Sequence, residues 1–313
     1  MSEKNQSVTR NSGPRCIALV GPFASGKTSL LEEMLFRCGA IDKSGCVDAK
    51  SSLGDGAPEA RDHSMSVEVN VADAEFMGDR YTFIDCPGSV EFGYECLPVL
   101  AGVDAAIVVA EPDEKKIPAL QVTLRELEER GIPHFLFLNK IDKASMGVRE
   151  ALAMLQPASS VPLVLRQLPI WNDGIATGFI DLALDRAFVY EEHAASKMIE
   201  LAGDDAARRD EARFSMLETL ADHDDRLMEQ LLEDIDPPQD EVFGDLVKEL
   251  REALIVPVFI RSALTGNGIL RLLKALRHEA AGIAETRARL GIAEEGDALV
   301  QILKTVHTSH GGK

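Results

Sequence analysis

The chain has 313 residues, with 52 Asp and Glu against 33 Lys and Arg for a formal net charge of −19. That charge argues against non-specific binding of nucleic acid, while 45% hydrophobic residues suffice for a large core in one big domain or two smaller ones. No apolar run approaches the ~18 residues of a membrane span, and the five scattered cysteines (Cys16, Cys38, Cys46, Cys86, Cys96) form no C-x-x-C pair, so neither disulfides nor zinc are expected.

Residues 1–14 are polar and lack an apolar signal core, which reads as a disordered tail on a cytoplasmic, monomeric protein. The apolar run 16–20 predicts a strand, and Leu30, Leu31, Met34, Leu35 and Cys38 give one face of a helix over 27–38. Between them lies Gly21-Pro22-Phe23-Ala24-Ser25-Gly26-Lys27-Thr28, followed by Ser29. This is G-x-x-x-x-G-K-T in the strand–loop–helix setting it requires. Gly21 and Gly26 let backbone N–H groups turn inward around phosphate oxygens, and the new helix presents its positive end to the same anion. Lys27 is expected to reach the β- and γ-phosphates, and the Thr28 hydroxyl to ligate Mg²⁺. A loop over 42–64 contains Arg61-Asp62-His63-Ser64, where Ser64 is the candidate second Mg²⁺ ligand. Strands follow at 66–71 and 80–85, and the second leads into Asp85-Cys86-Pro87-Gly88-Ser89. Asp85 at a strand end would hold Mg²⁺ through water, and the Gly88 N–H is placed to touch a γ-phosphate, which makes the segment after it a switch.

A helix over 93–101, a strand over 105–110, a helix over 118–130 and a strand over 134–139 continue the alternation. The strand over 105–110 has no polar alternation, as suits a parallel sheet covered on both sides. Asn139-Lys140-Ile141-Asp142 stands at a strand's carboxyl end, where open α/β sheets bind ligands. N-K-x-D alone also describes a charged turn. In this setting Asp142 can accept from guanine N1–H and the exocyclic amine, a donor pair adenine lacks. Asn139 would bond the base or tie loops together, and the Lys140 stem would lie along a ring face. A helix is expected over 148–155. Then come short strands over 163–170, 179–181 and 187–189, and helices over 192–201, 205–234 and 240–253. The strand over 255–260 ends in Ser262-Ala263-Leu264, whose backbone N–H groups suit guanine O6, and a helix over 269–281 closes the domain. The fold class is therefore α/β: a P-loop GTPase fold, mostly parallel, with helices on both faces and an inserted α+β subdomain over 158–255. The GTP-binding domain is assigned to 15–157 and 256–284. The insert holds 23 acidic against 9 basic residues, either a solvated acidic face or a docking surface for a basic protein.

The ordered set resembles the elongation factor G family of translational GTPases, whose patterns run G-H-x-D-A-G-K-T, R-G-I-T-I, D-T-P-G-H-x-D-F, N-K-x-D and a serine–alanine pair. Gly21–Thr28, Arg61–Met65, Asp85–Phe92, Asn139–Asp142 and Ser262–Leu264 match them in order, over about residues 14–313. The resemblance implies GTP as substrate and GDP as product, Mg²⁺ as cofactor, and the ribosome as partner, with its stalk protein meeting the acidic insert. It also makes 298–306 the first strand of a β-barrel domain, so that 285–313 is a linker and the start of a truncated domain. Four positions depart from the family. Its loop aspartate is Ala24, its switch threonine is Ser64, the isoleucine before that is His63, and its catalytic histidine is Ser89. Ser89 and His63, with Lys27 and Gly88, are accordingly the catalytic candidates. A GTP-binding switch with little hydrolysis and a ribosome-protection type of GTPase remain as alternatives to a factor that hydrolyses GTP on the ribosome.

Overall fold

The computed structural model describes residues 13–45, 51–52, 65–141, 146–191, 196–201, 203–260, 268–293, 296 and 299–305. Two sheets organise them. The larger has seven strands: β1 (Arg15–Val20), β2 (Asn70–Phe76), β3 (Asp79–Asp85), β4 (Ala105–Ala110), β5 (His134–Leu138), β6 (Leu163–Leu165) and β11 (Val256–Ile260). Their spatial order is β2-β3-β1-β4-β5-β11-β6. Only β2, the edge strand hairpinned onto β3, runs antiparallel.

Period-two alternation sends successive side chains to opposite faces of the sheet. Ile17, Leu19, Ile107, Val109, Phe135 and Phe137 face one layer. It is closed by Leu30, Leu31, Met34 and Leu35 of α1 (Lys27–Cys38) and by Leu272, Leu273 and Leu276 of α8 (Ile269–His278). Ala18, Val20, Ala106, Val108, Leu136 and Leu138 face the other layer, with Val99 of α2 (Gly93–Leu100), Leu120, Leu124 and Leu127 of α3 (Ile117–Glu129) and Leu155 of α4 (Val148–Leu155). Each buried Leu or Ile stabilises the fold by roughly 1.5–3 kcal/mol relative to exposure. Both faces of β4 are covered, which is why its six residues are uniformly apolar.

The second sheet is antiparallel, ordered β10-β9-β8-β7. It contains β7 (Gln167–Asn172), β8 (Ile175–Asp181), β9 (Arg186–Val189) and β10 (Lys197–Ile199). Helices α5 (Asp204–Ala221), α6 (Asp225–Leu232) and α7 (Gln239–Arg251) follow before β11, and α9 (Ile283–Arg289) follows α8.

Five elements differ from the sequence expectation; the strand expected over 66–71 lies instead at Asn70–Phe76. The run 163–170 is two strands in two sheets, parted at Arg166, whose buried guanidinium bonds Glu279 and so fixes where the chain crosses. The helix expected over 205–234 breaks at Asp224, whose carboxylate caps α6 by accepting from Arg226 N and Leu227 N. Residues 197–199, expected to be helical, pair with Ala187–Val189 instead. Within the strand expected over 298–306, the described residues 299–305 pair with no sheet. They are tethered by Lys304 Nζ, which donates to the Val69 carbonyl at 2.6 Å. Among the described residues no helix is long and apolar enough to cross a membrane.

Candidate functional site

The connection from β1 leads to β3 on one side of it, while β4 lies on the other, so the order reverses at the carboxyl end of β1. A crevice at such a switch point is where open α/β sheets bind ligands. Residues 21–26 fill its rim. Gly21 adopts φ +133°, and a Cβ there would fall on the Val109 carbonyl of β4. Gly26 caps α1 in the left-handed region, φ 98°, and a Cβ there would collide with the Asn139 amide. Both glycines are thus demanded by the close approach of neighbouring backbone and side chain.

Lys27 is 6% exposed and Thr28 is 9% exposed. In this structure Lys27 Nζ donates to the carbonyls of Gly21 (3.0 Å) and Pro22 (3.1 Å). Burial lowers its pKa, opposed by the nearby charge of Asp85. The Thr28 hydroxyl donates to Asp85 Oδ2 at 2.7 Å, and Asp85 is fully buried at the end of β3. A hydroxyl beside a carboxylate is a hard-oxygen set of the kind Mg²⁺ takes, partly through water, so these residues fit the ion that the sequence implies. Ser25 Oγ is buried and meets no hydrogen-bond partner among the described residues, as suits a donor kept for an anionic ligand. Phe23 and Ala24 lie exposed on the outer side of the loop, and Ser29 is exposed on the first turn of α1; Ala24 takes φ 56°.

The D-C-P-G segment crosses directly over the lysine. A Cβ on Gly88 would coincide with Lys27 Nζ. Cys86 N donates to Leu19 O at 3.0 Å, which extends the β1–β3 ladder into the segment. The Cys86 thiol lies toward the Ile84 carbonyl and that of Cys96 toward the Pro87 carbonyl; their mutual contact, then burial, holds the Cys86 pKa well above the ordinary value, and the same contact holds that of Cys96 below it. Pro87 is buried, and Ser89, half-buried, opens a short turn over Val90–Phe92 without capping it by its side chain.

Asn139 and Lys140 close the other side. Asn139 Nδ2 donates to the Ser25 carbonyl at 2.9 Å, and Lys140 Nζ donates to the Ala24 carbonyl at 2.8 Å. Lys140 itself takes φ 58°. Asn139 therefore ties the two loops, one of the two roles expected of it. The structure thus brings Gly21, Ser25, Gly26, Lys27, Thr28, Asp85, Gly88, Asn139 and Lys140 to one rim. His63, Ser64, Asp142, Ser262, Ala263 and Leu264 lie outside the described residues.

Sequence reasoning missed three side chains here. The Ser66 hydroxyl lies 3.2 Å from Thr28 Oγ1, two positions beyond the expected Ser64. Glu111, the residue after β4, pairs with Lys140 at 2.9 Å and also with Lys116. A carboxylate just past the carboxyl end of a strand was the available signal.

The fold and this rim define a P-loop nucleotide-binding protein. The sequence profile of the Elongation factor Tu GTP binding domain family matches residues 13–281, and the chain belongs to that family. It is 39% identical over 303 residues to an elongation factor G-like protein of Synechocystis sp., covering 96% of this chain and 45% of that protein. It is 27% identical over 264 residues to elongation factor G 2 of Syntrophomonas wolfei, covering 84% of this chain and 38% of that one. A protein from Thermus thermophilus of known crystal structure superposes with a TM-score of 0.75 at 29% identity, covering 86% of this chain and 40% of that one. The chain spans less than half the length of these relatives.

Proposed function

We propose that the chain is the GTP-binding and GTP-hydrolysing part of a translation factor of the elongation factor G type, working on the ribosome in a translocation-like or recycling-like step. The observation that carries this reading is the convergence of Lys27, Thr28 and Asp85 beneath Gly88, with Asn139 and Lys140 tied to the same loop. Backbone N–H groups of 21–28 cradle the phosphates, and Lys27 leaves its two carbonyl partners for the β- and γ-phosphates. Thr28 would hold Mg²⁺, with Asp85 through water and Ser64 as a further ligand when a γ-phosphate is present. The ion neutralises charge on the phosphate oxygens. Gly88 N–H touches the γ-phosphate, which makes the D-C-P-G segment the sensor of nucleotide state. Asp142 reads guanine, flanked by Asn139, Lys140 and the backbone of Ser262, Ala263 and Leu264.

The water-positioning role falls to His63, next to Ser64, because Ser89 stands where the family has histidine. Serine can hydrogen-bond a water but carries no positive charge at neutral pH. That substitution also favours the second reading, a GTP-dependent switch with little hydrolysis. Segment 158–255, which lends β6 to the main sheet, forms an inserted subdomain whose exposed carboxylates dock a basic protein surface, the ribosomal stalk.

Competition binding with GTP and ATP tests the nucleotide assignment. GTP and GDP are expected to bind and ATP to fail, and Asp142→Asn shifts preference toward xanthine nucleotides by exchanging an acceptor for a donor. Equal binding of ATP and GTP would overturn it. Single-turnover hydrolysis with and without ribosomes separates the two readings.

A further inference from the structure

Outside every motif, one carboxylate holds two cations at the edge of the proposed nucleotide site. Glu111 Oε2 pairs with Lys140 Nζ at 2.9 Å, and Glu111 Oε1 pairs with Lys116 Nζ. All three side chains are largely sheltered, Glu111 at 13% exposed. Lys140 Nζ also donates to the Ala24 carbonyl, so its ammonium is fixed from two sides: the backbone of the glycine-rich loop and the carboxylate that follows β4. Lys116 is placed by the short turn Glu114–Lys116, which the Asp113 carboxylate caps at Lys115 N. Burial, then the charges of Lys140 and Lys27, push the Lys116 amine down to about 8. Three lysines therefore crowd this rim, and Glu111 is shared by two of them.

A lysine carries a flexible four-carbon stem, and freezing such a side chain on binding is a cost that prior fixation removes. We propose that Glu111 is a positioning residue for nucleotide binding: it pins Lys140 Nζ against the Ala24 carbonyl, so that the Lys140 stem is already laid out where a base would lie on it, while Lys116 anchors the carboxylate from its far side. The proposal rests on the nucleotide reading above and adds to it a residue that the N-K-x-D pattern does not contain. Glu111 acts through Lys140 and touches no nucleotide itself.

The test uses the full 313-residue chain and the fluorescent probe N-methylanthraniloyl-GDP, displaced by unlabelled GDP. Glu111→Gln is expected to raise the dissociation constant on the order of 10-fold, mainly through faster release. The order of preference among guanine and adenine nucleotides should not change. Lys140→Met keeps most of the stem and removes the ammonium. In that background Glu111→Gln is expected to cause no further loss, because the interaction it supports is already gone. Glu111→Asp, with the charge retained on a shorter arm, is expected between the unmodified chain and Glu111→Gln, and it carries the test should the glutamine variant not fold. Unchanged affinity in Glu111→Gln, or an equal loss in the Lys140→Met background, would overturn the positioning role alone. Failure of the unmodified chain to bind the probe would overturn both this role and the nucleotide reading.

Discussion

Removing Arg166 isolates the energetic role of the buried charge network where the two sheets meet. Arg166 and Glu279 are both fully buried, paired at 2.7 Å. Arg166 also lies 3.8 Å from Asp181, which Arg271 Nε contacts at 2.5 Å. Burial alone would raise the Asp181 carboxyl, but the guanidiniums of Arg271 and Arg166 outweigh it and hold the pKa below the ordinary value. Arg166→Met keeps the length of the stem and its place against Phe259, over which the guanidinium carbon sits at 5.5 Å. It leaves Glu279 with Arg271 at 3.5 Å as its remaining ion pair among the described residues. Breaking one side of a buried pair costs about 3–5 kcal/mol, because the stranded charge stays desolvated. With an unfolding entropy of about 2.1 cal/mol/K per residue over 313 residues, that cost lowers the unfolding midpoint by about 5–8 °C. Calorimetric melts at pH 7 measure it. Arg166→Met with Glu279→Gln is expected to recover about half the loss, since the stranded charge is gone. A single variant within about 1 °C of the unmodified chain, or a double variant destabilised by the sum of the two singles, would refute the reasoning.

Gly26→Ala forces a side chain into the left-handed region and onto the Asn139 amide; the backbone strain alone, about 1–2 kcal/mol, corresponds to roughly a 10-fold loss of GDP affinity, and an unchanged dissociation constant would contradict it. Glu249 of α7 is 2% exposed, and its carboxyl is raised to about 8, first by burial and then by the charge of Asp245. The folded pKa lies above the unfolded one, so the stability this group contributes is full below about pH 4.5 and is lost as pH rises through about 8. Glu249→Gln, neutral throughout, is expected to melt at least about 2 °C higher than the unmodified chain at pH 9, since one pKa unit is worth about 1.4 kcal/mol, with no gain at pH 4.5. An equal difference at both pH values would exclude the carboxyl as the cause.

What the sequence discloses about this protein follows the range of the forces involved. Strand 105–110 and helix 148–155 have the limits expected of them, because the first is uniformly apolar and the second has its apolar positions at helical spacing, and both signals lie within the segment itself. The loop from Gly21 to Thr28 is legible as a motif, although its glycines are required by distant neighbours, Val109 and Asn139. Glu111, by contrast, becomes a partner of Lys140 only when β4 and β5 lie side by side in parallel register. Ser66 meets Thr28 across 38 positions of chain. The strand at Lys197–Ile199 exists because β9 offers an open edge to pair with, and no property of Lys197-Met198-Ile199 announces it.

The same contrast explains the crossing at Arg166. Leu163-Val164-Leu165 and Leu168 to Ile170 flank Arg166 and Gln167 so closely that 163–170 reads as one strand. The chain leaves the first sheet at Leu165 and enters the second at Gln167 with no glycine, proline or solvent-exposed residue between them. What turns it is charge: Arg166 is drawn to Glu279 past the end of α8, and Leu182 N donates back to the Arg166 carbonyl at 3.0 Å. Gln167 Oε1 accepts from Ile260 N at 3.2 Å, at the last residue of β11. The junction between the sheets is therefore bonded to the strand that leads into 261–267, the segment holding Ser262, Ala263 and Leu264. A crossing built from buried ion pairs and backbone hydrogen bonds, without a flexible residue, has few low-energy ways to bend. It holds the second sheet in a fixed relation to the strand ends that border the proposed nucleotide site.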